Sequence, residues 1–223
     1  MPLVLPGQES ANNEPWRRFE RHHHVAPYAA LVIRGACDEA GDRGRFRAAV
    51  GDVLVHDSFD GHGDTIGSSG ATFINFVLVE PLPGSFGRVA DVDAIIRAHE
   101  RDPREGAAEL DLQFRPAVNG HGDWPDLLAA DLATRRRLAI EAWADAHCLH
   151  RGSVSRGFRL AYGVSPKRFR LEQFASRAAR TIRRGGQSLA SIAADCGFAD
   201  QAHMTRSLVA LFGTTPGSLR RPG

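Results

Sequence analysis

The C-terminal half of the chain contains an internal repeat with an offset of about 50 residues. Residues Ser155–Pro166 align without a gap with Thr205–Pro216. Both read Ser or Thr, Arg, any residue, Phe or Leu, three variable residues, Tyr or Phe, Gly, any residue, Ser or Thr, Pro. The residues upstream also correspond, so each copy is predicted to be a helix, a turn of three to four residues and a second helix.

Each copy has the residues that a helix-turn-helix needs around its turn. A small residue, Ala144 or Ala193, allows the two helices to approach closely. The turn needs a residue that tolerates positive φ, and the second copy has Gly197 there. The first copy has Cys148 instead. We therefore expect the first turn to be strained by about 1 kcal/mol.

The second helix of each copy has an apolar stripe and a polar face. Val154 and Phe158, like Met204 and Leu208, have the spacing of a buried stripe. The polar faces are predicted to carry Arg151, Gly152, Ser155 and Arg156 in the first copy and Gln201, Ala202, Thr205 and Arg206 in the second. Arg, Gln, Ser and Thr are side chains that hydrogen-bond to base edges in the major groove of DNA. The alternative for each arginine is a solvated surface charge.

The charge of the chain is divided between its two halves. Residues 1–123 contain 12 Lys and Arg against 19 Asp and Glu, a net charge of −7, whereas residues 124–223 contain 16 against 7, a net charge of +9. Only Lys167 among the 28 basic residues is a lysine, and arginine pairs bidentately with phosphate and guanine. A bias in codon composition explains arginine over lysine, but it does not explain the segregation. The basic half is predicted to bind double-stranded DNA.

Six helices are predicted in the basic half. They cover Trp124–Thr134, Leu138–His147, Gly152–Ala161, Pro166–Ile182, Leu189–Cys196 and Asp200–Phe212. The fourth helix is long enough to hold the two recognition helices about one DNA turn apart. Candidates for phosphate contacts at its start are Lys167, Arg168 and Arg170.

The first half is predicted to be mainly β-structure. Short apolar or β-branched segments at Ala29–Ile33, Arg45–Ala49, Val53–Val55 and Thr72–Val79 are separated by turn clusters such as Gly61–Asp64 and Gly67–Gly70. This pattern indicates a small barrel or sandwich. A helix follows at Val89–Glu100, and Pro116–Asp123 has the composition of a linker.

Several classes of protein are excluded or not supported. No apolar run approaches the length of about 18 residues that a membrane span requires. The N-terminus, MPLVLPGQESANNEP, lacks the features of an export signal, and Cys37, Cys148 and Cys196 do not form a disulfide framework. We therefore expect a cytoplasmic protein. Nucleophile-elbow, P-loop and paired-cysteine motifs are missing, so we expect neither an enzyme nor a cofactor.

The basic half resembles the DNA-binding domain of the AraC/XylS family of bacterial transcription regulators. The segments that carry the resemblance are VSRGFRLAYGVSPKRFR and SLASIAADCGFADQAHMTRSLVALFGTTPGSLR. Cys148 at the first turn and Leu208, where the family usually has Phe, depart from its pattern. The resemblance implies insertion of two recognition helices into adjacent major grooves, commonly as a homodimer with a small-molecule sensor. An activator would also contact RNA polymerase.

The acidic half resembles a cupin at one short stretch. His22-His23-His24-x3-Tyr28-x6-Gly35 is similar to the first cupin motif, with Tyr28 in place of its carboxylate, and His62 falls near the histidine of the second motif. The resemblance implies an effector pocket at His22, His24, Tyr28 and His62. Because the carboxylate is missing, no metal is expected. The alternative is a metal-dependent cupin enzyme fused to a DNA-binding domain, with a divalent metal on His22, His24 and His62.

These observations predict an α+β multi-domain chain. A cupin-like β-barrel at 1–88 would act as the sensor. A helix and linker at 89–123 would be a dimerisation element, and its apolar stripe could equally pack on the barrel. An all-α domain with two helix-turn-helix units at 124–223 would bind DNA.

Overall fold

The computed structural model describes residues 11–78, 80, 82–118 and 120–220. These residues form two compact units. The first unit comprises the described residues up to 58 and those from 62 to 121, and the second comprises 59–61 and the described residues from 122 onward. No helix in the described part of the chain is long and apolar enough to cross a membrane.

The first unit contains an antiparallel sheet. Its strands are β1 (Ala11–Asn13), β2 (Arg18–His23), β3 (Tyr28–Gly41), β4 (Gly44–Ala49), β5 (Asp52–His56), β6 (Gly61–Val77), β7 (Phe86–Arg88) and β8 (Arg115–Pro116). The hydrogen-bonded order is β1-β6-β3-β5-β7-β8, with β2 beside β6 and β4 beside β3. The prediction of a β-rich first half followed by a helical second half is confirmed.

The two longest strands are bent. The pairing of β3 with β6 shifts register between Val32 and Arg34 and again between Gly35 and Cys37. Gly35 has φ +72°, and a Cβ built there would lie 1.9 Å from the carbonyl oxygen of Gly70, so only glycine fits. Bulges of this kind bend a strand. The bend brings the two ends of β3 towards the same part of the sheet.

Both faces of the sheet are covered. Along β3, Ala30 and Val32 belong to one apolar cluster, whereas Ala29 and Leu31 belong to the other. The second cluster also includes Ile95 from helix α1 (Val92–Arg101) and Leu110 from helix α2 (Pro103–Gln113). Because residues 28–32 of this strand are all buried, this part of its sequence is continuously apolar rather than alternating.

The structure corrects three predictions for this unit. The segments Gly61–Asp64 and Gly67–Gly70, expected as turns, lie within β6, because pairing on both edges outweighs their low strand propensity. The helix expected at Val89–Glu100 begins at Val92, where the side chain of Asp91 accepts a hydrogen bond from the amide of Ala94. A second helix, α2, follows it and was not predicted. Val79, the expected end of a strand, and the N-terminal residues 1–10 lie outside the described residues.

The second unit is helical. Its helices are α3 (Trp124–Thr134), α4 (Ile140–Ala146), α5 (Arg151–Tyr162), α6 (Pro166–Arg184), α7 (Leu189–Cys196), α8 (Gln201–Phe212) and α9 (Pro216–Arg220). Six of them were predicted to within two residues at each end, and α9 was missed. The long α6 carries much of the core, including Phe169, Ala175, Ala179 and Ile182, all fully buried.

Candidate functional site

The first helix-turn-helix consists of α4, the turn at residues 147–150 and α5. The amide of Leu149 donates to the carbonyl oxygen of Ala144 at 2.9 Å, which closes the turn. Cys148 has φ +55°, a left-handed conformation that costs a residue with a side chain about 1–2 kcal/mol. The strain predicted for this turn is therefore present in the backbone. The imidazole of His150 accepts a hydrogen bond from the amide of Gly152 and caps α5.

The second helix-turn-helix, α7 with α8, repeats this geometry. The amide of Phe198 donates to the carbonyl oxygen of Ala193 at 2.9 Å, which is the counterpart of the bond in the first turn. Gly197 occupies the left-handed position with φ +96°. A Cβ at that position would lie 2.8 Å from the ring of Phe174, so packing also requires glycine here. The sequence repeat is thus a repeat of structure at the level of single hydrogen bonds.

The two second helices are oriented as their sequences predict. Val154 and Phe158 of α5 and Met204 and Leu208 of α8 are fully buried. The opposite faces carry the eight residues predicted to contact bases. Of these, six are exposed: Arg151, Ser155, Arg156, Gln201, Ala202 and Arg206. The other two, Gly152 and Thr205, are half-buried.

The arginines on these faces have no hydrogen-bond or ion-pair partner among the described residues: Arg151, Arg156 and Arg206. The hydroxyl of Thr205, by contrast, donates to the carbonyl oxygen of Gln201 at 3.0 Å. The N-terminus of α8 is capped by Asp200, whose carboxylate accepts a hydrogen bond from the amide of His203 at 2.6 Å. Rigid helix ends with unpaired guanidinium groups suit recognition of a polyanion.

The start of α5 shares a surface with the start of α6. A cleft of about 410 Å³ is lined by Arg151 and Ser155 from α5, by Lys167 from α6 and by residues at the start of α4. Lys167 is exposed and has no partner among the described residues. The cleft thus joins predicted base-contacting residues to a predicted phosphate-contacting residue.

The other two phosphate candidates have intramolecular partners. The guanidinium of Arg168 donates to the carboxylate of Glu172 at 2.7 Å, and that carboxylate is almost fully buried. Arg170 donates to the carbonyl oxygen of Leu138 at 2.8 Å. Both arginines therefore stabilise the helical unit, and Lys167 is the candidate whose charge is unengaged within the described residues.

The residues expected to form an effector pocket lie together in the first unit. The hydroxyl of Tyr28 is 2.8 Å from Nε2 of His62, and Nε2 of His24 is 3.0 Å from the same atom. The rings of His22 and His62 are 4.4 Å apart. Burial, followed by the charge of His62, lowers the pKa of His24 to about 3. His24 is therefore a neutral ring near pH 7.

Sequence reasoning missed three further members of this cluster. Glu39 lies 3.3 Å from Nε2 of His56 and 3.2 Å from Nδ1 of His62, and Asp64 lies 3.2 Å from the same Nδ1. Burial lowers the pKa of His62, but Asp64 and Glu39 outweigh burial and raise it to about 10. No motif links these positions in sequence, because only the bent β3 brings Glu39 back towards β5 and β6.

Comparisons with known proteins place a helix-turn-helix domain at residues 143–222. A comparison with curated proteins found no match. Among solved structures, fatty-acid-bound ToxT from Vibrio cholerae strain SCE256 is 10% identical, with coverage of 95% of this chain and 93% of its own, at a TM-score of 0.42. The DNA-binding domain of the global transcriptional factor AdpA, in complex with a target DNA, is 22% identical over 44% of this chain and 91% of its own, at a TM-score of 0.41. A transcriptional regulator of the AraC-type group from Chromobacterium violaceum is 25% identical over 44% of this chain and 88% of its own, at a TM-score of 0.38.

Proposed function

We propose that the chain is a DNA-binding transcription regulator whose helix-turn-helix domain, at residues 143–222, is of the AraC type. In this proposal α5 and α8 enter adjacent major grooves of one duplex and read its bases. The supporting observation is that two turns with the same closing hydrogen bond present unpaired arginines on matching helix faces. Helix α6 connects the two helix-turn-helix copies. It has 19 residues and is about 28 Å long, which is close to one DNA turn.

Within this proposal the polar contacts have different tasks. Arg151, Ser155 and Arg156 on α5, and Gln201, Thr205 and Arg206 on α8, contact base edges. Gly152 and Ala202 allow the helix backbone to approach the groove closely. Lys167 contacts phosphate and adds affinity without sequence information.

We propose that residues 1–88 sense a small molecule at His22, His24, Tyr28 and His62, and that residues 89–123 connect the sensor to the DNA-binding residues 124–223 and contribute to a homodimer. The protein would act in the cytoplasm by binding rather than by catalysis, and an activator would contact RNA polymerase. The contacts that bring these four side chains together support a shared effector site. Stabilisation of the full chain by a candidate metabolite, with loss of that stabilisation in Tyr28→Phe, would test the sensor.

The DNA proposal is tested by removing one guanidinium from the face of α8. Arg206→Ala should weaken binding to the cognate site by about 1–3 kcal/mol and relax base preference at one position, because a bidentate contact is lost. Fluorescence anisotropy with the full chain measures both effects. The matched control is Arg104→Ala, which removes the same charge from an exposed position in the first unit. Equal losses in the two variants would show that Arg206 contributes only charge.

A further inference from the structure

Three buried side chains of the first unit direct donor atoms towards one point. Glu39 comes from β3, His56 from β5 and His62 from β6, and each residue is only 5% exposed. Their donor atoms, Oε2 of Glu39, Nε2 of His56 and Nδ1 of His62, all lie within 4.8 Å of one another. Glu39 and His56 are not positions of the cupin-like motif, so this cluster was not anticipated from the sequence.

The same three atoms lack aligned hydrogen bonds. Oε2 of Glu39 is 3.3 Å from Nε2 of His56 and 3.2 Å from Nδ1 of His62, and Asp64 is 3.2 Å from the same Nδ1, but none of these contacts within the described residues has the alignment of a hydrogen bond. Buried polar groups are nearly always satisfied, and an unsatisfied buried charge costs more than a neutral group. The buried carboxylate of Glu39 needs a positive charge beside it. A proton on His62 supplies that charge when no metal is bound, whereas a metal ion between the three atoms would bond to all of them.

The donor set and its dimensions fit a zinc ion. A tetrahedral Zn²⁺ with bonds of about 2.0–2.1 Å separates neighbouring donor atoms by about 3.3–3.4 Å, close to the two distances observed from Glu39. Two imidazoles and one carboxylate are a ligand set that Zn²⁺ binds in proteins, with water in the fourth position. We propose that Glu39, His56 and His62 form a zinc-binding site in the first unit.

The surroundings of His62 support this assignment. With Nδ1 on the metal, Nε2 must carry the proton, and it lies 2.8 Å from the hydroxyl of Tyr28 and 3.0 Å from Nε2 of His24. Metal-bound histidines commonly donate their second N–H to such a partner, which fixes the tautomer and the ring orientation. Tyr28 would thus be a positioning residue for the ion.

A second set, His22, His24 and His62, also has donor atoms close enough for a metal. It is less suitable here because its first two members are only half-buried, whereas Glu39, His56 and His62 are all buried. In addition, Nδ1 of His22 is 3.0 Å from the carbonyl oxygen of Glu20, so that nitrogen already has a partner. The two sets share only His62, which makes them separable by mutation.

The test measures zinc bound by the full chain. Protein stripped with a chelator and then dialysed against zinc chloride should retain one Zn²⁺ per chain after gel filtration, as measured by plasma mass spectrometry. Glu39→Gln and His56→Gln should lose it, whereas His22→Gln should retain it. His121→Gln removes an exposed histidine of the same unit and should also retain the ion. Tyr28→Phe should weaken zinc affinity by about tenfold.

Several results would overturn the proposal. These are wild-type protein without stoichiometric zinc, loss of zinc in His22→Gln but not in His56→Gln, and retention by all variants. The first of these would leave a proton between His62 and Glu39 as the neutralising charge. Co²⁺ bound to wild-type protein should give the intense visible absorption of a tetrahedral site, a readout that does not depend on the folding of any variant. DNA binding is measured separately, so this inference and the proposed DNA recognition can fail independently.

Discussion

At the scale of single residues, the two turns of the repeat differ in whether the left-handed position carries a side chain. Substitutions at this position should therefore change the stability of the two turns in opposite directions. Cys148 and Gly197 both occupy the left-handed position that follows the first helix of each helix-turn-helix copy. The sequence alone predicted this position and its strain, because the alignment placed a cysteine where the other copy has glycine. What the sequence could not show is that Phe174 lies against Gly197, since that contact depends on packing between helices.

We expect Cys148→Gly to raise the free energy of unfolding by about 0.5–1 kcal/mol. The left-handed strain of about 1–2 kcal/mol is relieved, and part of the gain is lost to the greater freedom of glycine in the unfolded chain. Cys148 is exposed, so no packing is lost. The matched change in the second copy, Gly197→Ala, should lower stability by about 1–3 kcal/mol through strain and overpacking. Urea denaturation measures both, and effects of the same sign would contradict this account of the turns.

We expect Lys167→Ala and Arg168→Ala to act on different properties. Lys167 is exposed and unpaired within the described residues, so its removal should weaken binding to all DNA sequences and reduce the salt slope by about 1. Arg168 is paired with the buried carboxylate of Glu172, so its removal should lower stability by about 1 kcal/mol. Anisotropy titrations at several salt concentrations, with thermal denaturation of both variants, measure these effects. A salt slope changed by Arg168→Ala and not by Lys167→Ala would be the contrary result.

At the scale of elements, the packing of α5 on α3 depends on one glycine. A Cβ at Gly157 would lie 2.5 Å from the ring of Trp124, so Gly157→Ala must displace that ring or one of the two helices. We expect a loss of about 1–3 kcal/mol in stability and weaker specific DNA binding. The control is Gly217→Ala in α9, where the nearest atom would be 3.8 Å away and the change should be neutral or slightly stabilising. The denaturation midpoints of the two variants measure this difference in stability, and equal midpoints would contradict the packing argument.

The elements differ in how well local sequence predicts them. Helices with clear caps were predicted closely, such as α6, which begins at the Ser165 cap and ends at Gly185. The strand β6 was not predicted in full, because its glycine-rich start is held by pairing with distant residues rather than by its own propensity. The cluster at Glu39 was missed for the same reason. Its members come together only through the bend of β3.

At the scale of the whole molecule, the division of charge agrees with the division of structure. The first 123 residues carry a net charge of −7 and the remaining 100 a net charge of +9. Apart from residues 59–61, the boundary between the two compact units lies between residues 121 and 122 of the sequence. The structure divides the arginines of the basic half into two groups. Some arginines, such as Arg170, stabilise the fold, whereas Arg156 and Arg206 are exposed and unpaired within the described residues.

The most direct test of the central claim is a selection from random double-stranded DNA with the full chain, repeated with Arg156→Ala and Arg206→Ala. We expect the wild-type protein to enrich a site with two conserved segments about 10 base pairs apart. Arg156→Ala should relax preference in one segment and Arg206→Ala in the other. Enrichment of no sequence by the wild-type protein, or relaxation of the same segment by both variants, would contradict the claim that α5 and α8 read separate major grooves.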